Sequence, residues 1–206
     1  MLAVNALECT RGERVLFSEL NFQLAPYTLL AVRGVNGSGK TSLLRVLCGL
    51  LSPTAGMVTW NGTDIRRCRD EYYGQLAYVG HLNGVKEELS GRENLQFWAR
   101  TSGLVADDAA ADAALCQLGL DGFQHLPCKA LSQGQRRRVA LARLYLSASR
   151  PLWILDEPFA ALDVSALALT QLLLDTHLAN GGMVVLTTHQ EMSISARLIS
   201  QVVLGS

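Results

Sequence analysis

Residues 34–41 have the types and the spacing that bind the phosphates of a nucleotide. They read Gly-Val-Asn-Gly-Ser-Gly-Lys-Thr, which matches the pattern G-x-x-x-x-G-K-[ST]. The glycines let the backbone turn tightly, so that successive N–H groups point inward at phosphate oxygens. Lys40 should reach the outer phosphates, and the hydroxyl of Thr41 should hold Mg²⁺. The pattern predicts a phosphate site made of Gly34, Val35, Asn36, Gly37, Ser38, Gly39, Lys40, Thr41 and Ser42.

Two adjacent acids, Asp156 and Glu157, follow an apolar run later in the chain. The run at 152–155 reads Leu-Trp-Ile-Leu, and Pro158 follows the two acids. A buried strand that ends in carboxylates places them at the edge of a sheet where ligands bind. We expect Asp156 to hold Mg²⁺ through water, and Glu157 to act as the general base that polarises the attacking water. The alternative, two acids in a surface turn, leaves their position after an apolar strand unexplained.

The elements around these motifs predict how the chain brings them together. Residues 29–33 form a predicted buried strand that leads into the phosphate loop, and 40–50 continue as a helix, whose N-terminal end favours an anion. Further strands are predicted at 2–9, 14–24, 57–60, 76–79, 152–155, 183–188 and 202–204. The chain therefore has the pattern of an α/β protein with strands on both sides of a helical segment.

The helical segment predicts a second lobe within one domain. Ser90 and Glu93 have the spacing of a capping box, and Asp107 and Asp108 begin a predicted helix that ends at Leu118. We interpret 1–206 as a single domain, with a core at about 1–83 and 147–206 and a helical subdomain at about 84–146.

Length, composition and charge exclude several functions. A chain of 206 residues is long enough for one domain with a large core. Its zero net charge argues against a nucleic-acid binder held mainly by phosphate electrostatics. No uncharged apolar run approaches roughly 18 residues, and no basic leader is present, so we expect a cytoplasmic chain without a membrane span. The five cysteines lack C-x-x-C spacing and are expected to be free thiols.

A third motif identifies the type of nucleotide site. Residues 131–135 read Leu-Ser-Gln-Gly-Gln and open a predicted helix at 136–146, for which Ser132 is a suitable N-cap. The N-terminal end of this helix would present N–H groups to a phosphate. The motif resembles the signature of ATP-binding cassette (ABC) ATPases, with Gln133 where that family usually has Gly. Residues 161–163 and 187–189 resemble two further ABC motifs, and the resemblance covers nearly the whole chain.

The resemblance to ABC ATPases implies a fold, an activity and an assembly. The fold is a P-loop NTPase of the ABC ATPase type, with a RecA-like α/β core, an antiparallel β subdomain and an inserted helical subdomain. The activity is hydrolysis of ATP with Mg²⁺ in a head-to-tail homodimer. In such a dimer His189 contacts the γ-phosphate, and Asp163 lies in the loop that signals across the interface. The ATP bound by the opposite subunit is contacted by Ser132, Gln133, Gly134 and Gln135.

Two positions depart from the general ABC pattern. Counting back from Glu93, His81 stands where the family has a glutamine that senses Mg²⁺ and the membrane partner; we expect the role to persist with an altered pH sensitivity. The aromatic residue that usually stacks on adenine is missing. Arg11 could stack its guanidinium plane on the base, and weaker adenine binding is an equal alternative; Tyr27 is a less favoured substitute.

Within this family, the chain is most similar to the ATP-binding subunit of the cytochrome c biogenesis haem exporter. The similar stretches are 36–45, 80–81, 135–144, 152–159 and 187–190. The resemblance implies a peripheral homodimer on the cytoplasmic face of the bacterial inner membrane, with integral membrane subunits, the haem exporter permeases, as partners. The groove near His81, Phe97 and Trp98 is expected to grip a membrane subunit, although core packing explains both aromatics equally well. We expect no nucleic acid and no direct haem binding, and we interpret His125 and His177 as surface residues.

Several other functions share parts of this pattern. The ATPase of another exporter, for a lipid or a small molecule, would carry the same motifs. A soluble ABC protein acting on nucleic acid or the ribosome usually has two cassettes or long coiled coils, and the segment between Lys40 and Ser132 contains no heptads. A GTPase would need N-K-x-D and D-x-x-G, which do not occur. We interpret the basic run 136–138 as the basic helix common in ABC proteins rather than as a nucleic-acid patch.

Overall fold

The computed structural model describes residues 1–188 and 198–205, and the predicted strands and helices are found there with small shifts at their ends. The strands are β1 (Leu2–Arg11), β2 (Arg14–Leu24), β3 (Thr28–Gly34), β4 (Ala55–Trp60), β5 (Thr63–Asp64), β6 (Leu76–Val79), β7 (Leu152–Asp156), β8 (Met183–Thr187) and β9 (Leu198–Leu204). The helices are α1 (Lys40–Leu47), α2 (Arg69–Gln75), α3 (Gly91–Thr101), α4 (Asp108–Cys116), α5 (Gln133–Leu146) and α6 (Val164–Ala179).

A parallel five-stranded sheet, in the order β6-β7-β8-β3-β9, positions the candidate site. Every residue of β7 and β8 is buried, as expected for strands that are covered on both faces. Because the strands are parallel, the carboxyl ends of β3, β6, β7 and β8 meet at one edge of the sheet. That edge carries the loop after Gly34, the loop with His81, and Asp156 and Thr187.

The alternating side chains of this sheet build two separate cores. Trp153 and Leu155 face one core, which also contains buried residues of α3, α4, α5 and α6. Leu152 and Ile154 face the other, which contains α1 and residues of the antiparallel sheet β2-β1-β4-β5. The cores hold the phosphate loop helix on one face and the helical lobe on the other. Helices α3, α4 and α5 fall within 84–146, and the exact division into subdomains stays a prediction.

The predicted helix starts are confirmed by their caps. The side chain of Ser90 accepts a hydrogen bond from the N–H of Glu93, and the Glu93 carboxylate accepts one from the N–H of Ser90. Ser132 and Gln135 form the same reciprocal pair at the start of α5. Asp107 caps α4 from one side only, by accepting the N–H of Ala110 with its carboxylate. These caps satisfy N–H groups that would otherwise lack partners, which typically contributes about 1 kcal/mol each.

Helix α2 is an element that the sequence reasoning missed. It is seven residues long and polar, so it carries no helical periodicity of apolar residues. Its one buried residue, Tyr72, donates a hydrogen bond from its hydroxyl to the carbonyl of Leu47 at 2.6 Å. None of the helices in the described part of the chain is long and apolar enough to cross a membrane.

The interpretation of His177 as a surface residue is wrong, whereas His125 is exposed as expected. His177 is 6% exposed, and its ring stacks on Trp153 with 3.6 Å between the ring centroids and 5° between the planes. The apolar residues of α6 are spread around the helix, so the sequence pattern does not identify its buried side.

Stability is expected to fall in mild acid because of His177. Burial lowers the pKa of this imidazole from 6.5 to about 4, although backbone groups of Pro151 and Met183 favour the protonated form. The unfolded chain takes up a proton as the pH falls through 6.5, and the folded chain does so only near pH 4. The free energy of unfolding should therefore decrease over this window, by up to about 3 kcal/mol.

Chemical denaturation at several pH values between 7 and 4 measures this effect. The variant His177→Gln should have a shallower decrease of unfolding free energy than the wild type, and His125→Gln should follow the wild type. Identical pH slopes for wild type and His177→Gln would contradict the assignment.

Candidate functional site

The predicted phosphate loop lines a cavity of about 540 Å³ at the carboxyl edge of the parallel sheet. Helix α1 begins at Lys40, directly after the loop, so its positive dipole end lies at this cavity. Its N-cap, Gly39, has a φ of 100°, and a Cβ there would lie 3.0 Å from the Cβ of Leu16, which favours glycine. The cavity is lined by Arg11, Leu16, Asn36, Gly37, Gly39, Lys40, Thr41, Ser42, His81 and Glu157.

The ammonium of Lys40 is held over the loop. Its Nζ donates hydrogen bonds to the carbonyl oxygens of Gly34 at 2.8 Å and Val35 at 3.1 Å, and the side chain is largely buried. A buried ammonium is stable only with such acceptors around it, and phosphate oxygens are stronger acceptors than carbonyls. The position is therefore suited to a phosphate in the cavity.

The groups expected to hold Mg²⁺ lie in direct contact. The hydroxyl of Thr41 donates to Oδ2 of Asp156 at 2.8 Å, and Asp156 is 2% exposed. Hydroxyl and carboxylate oxygens are the ligands that Mg²⁺ prefers, so these residues fit the ion. The described residues contain no cluster of three or more His, Cys, Asp or Glu side chains that could bind a metal alone. The remaining ligands of Mg²⁺ would then be phosphate oxygens and water, as is usual for this ion.

A buried hydroxyl, that of Thr187, supports the turn that carries the two acids. It donates to Oδ1 of Asp156 at 2.7 Å and accepts the N–H of Glu157 at 2.8 Å. Glu157 has a φ of 49°, in the left-handed region that non-glycine residues rarely adopt. Such a conformation persists only where its surroundings hold it, and here it brings Glu157 to the cavity. The sequence reasoning did not assign this role to Thr187, although a threonine at the end of an apolar strand was a signal for it.

The signature residues do not line the cavity of their own chain. Ser132 and Gln133 are exposed at the start of α5. Gly134 packs against the loop before α6, because a Cβ there would lie 2.6 Å from the carbonyl oxygen of Ala161. Asp163 caps α6 by accepting the N–H of Ala166, and this hydrogen bond lowers the pKa of its carboxyl group. The structure thus joins the signature to the loop of Asp163 and separates both from the phosphate cavity.

The two positions that depart from the ABC pattern both face this cavity. His81 and Arg11 line it, whereas Tyr27 does not. The structure adds Leu16, an apolar lining residue that the sequence reasoning missed because nothing distinguishes it from a core leucine. The predicted role of His189 falls on a residue outside the described ranges.

The basic run 136–138 is engaged within the chain rather than presented as a patch. Arg136 pairs with Glu87 at 2.9 Å, and Arg138 donates to the carbonyl oxygens of Leu118 and Gly119. Arg137 is 4% exposed. This agrees with the interpretation that the run is not a nucleic-acid site.

The two aromatic residues of α3 differ in their surroundings. Phe97 is 46% exposed and lies under the ammonium of Lys86, 4.2 Å from the ring centroid, so core packing does not explain it. Trp98 is partly buried and lines a groove of about 460 Å³ between the core and the helical lobe, together with Tyr73 and Tyr78. Of the three residues expected at one groove, only Trp98 lines it, whereas His81 lines the phosphate cavity and Phe97 lines neither. An aromatic groove of this kind is typical of a protein interface.

Comparisons with known proteins agree with this geometry. The family model of the ABC transporter matches residues 17–160. The "Cytochrome c biogenesis ATP-binding export protein CcmA" of Nitrosomonas europaea is 51% identical over 205 residues, covering 100% of this chain and 96% of that protein. The protein of the same name from Nitrosospira multiformis is 52% identical over 195 residues, covering 95% and 94%.

Solved structures show the same fold. A structure described as the ATP binding subunit of an ABC transporter superposes with a TM-score of 0.80 at 26% identity, over 91% of this chain and 79% of that one. A dimeric ATP-binding cassette bound to ADP and Pi superposes with a TM-score of 0.79 at 24% identity, over 92% and 88%.

Proposed function

Because the chain belongs to the ABC transporter family, we propose that it is the ATP-hydrolysing subunit of a transporter that exports haem for the maturation of c-type cytochromes. The observation that carries this proposal is the identity of about half of all residues, over the full length, with cytochrome c biogenesis export proteins. That identity extends far beyond the phosphate-site motifs, which other ABC exporters would share.

The residues of the cavity have separate roles in ATP hydrolysis. Lys40 and the N-terminal end of α1 bind the phosphates. Thr41 and Asp156 would hold Mg²⁺, which would neutralise charge on the phosphate oxygens. Glu157 orients and polarises the attacking water. His81 lies at the same cavity, where it responds to the presence of bound nucleotide and metal.

Two copies of the chain are needed to complete each site. The signature residues and Asp163 lie outside the cavity of their own chain, with Ser132 and Gln133 on the surface. A second copy placed head to tail presents its α5 N-terminus to the nucleotide bound by the first. ATP binding then closes the pair, and hydrolysis opens it.

Membrane subunits convert this cycle into transport. The groove lined by Trp98, Tyr73 and Tyr78 offers an aromatic surface for a segment of a membrane subunit. The chain then lies on the cytoplasmic face of the inner membrane as a peripheral subunit. The membrane subunits use the cycle for the movement or release of haem, and haem does not bind this chain.

Deletion of the gene tests the substrate. Cells without it should lose absorbance of c-type cytochromes and retain that of b-type cytochromes, and a plasmid copy should restore the lost signal. Unchanged c-type cytochromes in the deletion strain would overturn haem export and leave an ATPase of another exporter.

A further inference from the structure

Arg137 is a buried cation on α5 that the mechanism above does not use. It lies five residues after Ser132 and is 4% exposed. Burial lowers the pKa of its guanidinium, against the attraction of Asp156 and Glu157. Taking a guanidinium out of water is costly unless its N–H groups find acceptors, so its partners show what the residue holds together.

Those partners are two segments of the candidate site. Nη1 donates to the carbonyl of Gly80 at 2.9 Å and to the side chain of Asn83 at 3.2 Å. Nη2 donates to the carbonyls of Asp156 at 2.7 Å and Glu157 at 2.8 Å. One guanidinium therefore connects the loop that carries His81 with the turn that carries the two acids.

A second arginine of α5 fixes the other end of the loop. Nη2 of Arg143 donates to the carbonyl of Gly84 at 2.6 Å, and burial lowers the pKa of its guanidinium to about 10. The loop from Gly80 to Gly84 is thus attached to α5 at both ends. Arg137 therefore links this loop and α5 directly to the Asp156–Glu157 turn.

The turn is sensitive to a displacement of that loop or of α5. Glu157 is held in a left-handed conformation from two sides, by Thr187 at its N–H and by Arg137 at its carbonyl. Loss of either support allows the backbone to relax toward an ordinary conformation, which changes the direction of the carboxylate. The planar fork of a guanidinium suits this role, because it fixes two acceptors on each side in one geometry.

We propose that Arg137 is a positioning residue that couples the loop of His81, and through it the membrane subunits, to the orientation of the general base Glu157. The proposal rests on the function proposed above. Arg137 does not touch the nucleotide; it acts through the backbone of the turn. Its substitution should lower the turnover number and uncouple it from the membrane subunits, with little effect on ATP affinity.

The control for this proposal is Arg138, the next residue of the same helix. Its guanidinium also donates to two backbone carbonyls, those of Leu118 and Gly119, but both lie in the helical lobe. Arg138→Gln therefore removes two side-chain contacts of the same helix, and neither contact involves the loop of His81 or the Asp156–Glu157 turn. This control distinguishes an effect of weaker packing around α5 from an effect of losing the link between the loop of His81 and the Asp156–Glu157 turn.

The experiment measures ATP hydrolysis of the purified chain, alone and assembled with its membrane subunits. For Arg137→Gln we expect kcat in the assembly to fall at least about 10-fold, KM for ATP to change less than about 3-fold, and stimulation by the membrane subunits to disappear. Arg137→Lys should rescue little, because one ammonium cannot reach four acceptors. Arg138→Gln should retain kcat and stimulation within about 3-fold.

Two outcomes would overturn the proposal. The first is an Arg137→Gln protein with the kcat and stimulation of Arg138→Gln. The second outcome applies if Arg137→Gln does not fold, and it uses the variant Asn83→Ala, which removes one of the four contacts of Arg137. Asn83→Ala should lower the stimulation of ATP hydrolysis by the membrane subunits about 2-fold or more. Unchanged stimulation in this variant would refute the coupling. A wild-type assembly without ATP hydrolysis would instead contradict the proposed function itself.

Discussion

Replacing Glu157 by glutamine is expected to lower ATP hydrolysis about 100-fold or more while ATP binding persists. The amide keeps the size of the side chain but cannot accept the proton of the attacking water, and general-base catalysis typically contributes a factor of about 10²–10⁴. The phosphate loop and the Thr41–Asp156 contact are untouched by this change. If hydrolysis opens the closed pair of chains, as proposed, the variant should accumulate as an ATP-bound dimer.

Light scattering after size exclusion, with ATP and Mg²⁺, measures this dimer. The matched control is Glu88→Gln, whose exposed carboxylate pairs with Lys129 on the helical lobe. The control should hydrolyse ATP at the wild-type rate. A Glu157→Gln protein that stays monomeric in ATP and Mg²⁺ would count against the head-to-tail pair, and wild-type hydrolysis would remove Glu157 from the mechanism.

Replacing Lys40 by alanine is also expected to abolish ATP turnover, but by weakening the binding of the phosphates rather than the activation of water. The ammonium lies in the phosphate loop, 2.8 Å from the carbonyl of Gly34, where it can exchange that acceptor for a phosphate oxygen. Its removal takes away the main cation of the loop, and loss of one such preorganised donor typically costs about 10²–10³ in rate. Unlike Glu157→Gln, this variant should also bind ATP weakly and form no ATP-dependent dimer.

Fluorescence binding of a labelled ATP analogue, followed by a phosphate-release assay, distinguishes the two variants. Lys129→Ala is the control, since Lys129 is an exposed lysine of the helical lobe. Thermal unfolding should show that both lysine variants are folded. Lys40→Ala with wild-type binding and turnover would refute the assignment of the phosphate site.

The sequence predicted those parts of the fold whose causes are local. The buried runs at 152–155 and 183–188 became β7 and β8 because fully buried parallel strands read as continuous apolar segments. The starts of α3 and α5 were predictable because Ser90 and Ser132 have capping partners three residues later. The motifs at the ends of β3 and β7 converge because parallel strands share one carboxyl edge.

The features that the sequence did not predict depend on contacts between distant residues. The supporting role of Thr187 requires the register of β7 against β8, which pairs Asp156 with Thr187. The burial of His177 requires the packing of α6, a helix whose apolar residues are spread around its surface, on Trp153. Arg137 was interpreted only as part of a basic run, and the role proposed for it rests on its contacts with Gly80 and Asp156, which lie far from it in the sequence.

Staining of cellular proteins for covalently bound haem, in cells whose native gene carries Glu157→Gln, tests whether ATP hydrolysis by this chain drives cytochrome c maturation. We expect c-type cytochromes to disappear, b-type haem proteins to remain, and cells with Glu88→Gln to be unaffected. Normal c-type cytochromes in the Glu157→Gln cells would contradict the claim that ATP hydrolysis by this chain drives their maturation.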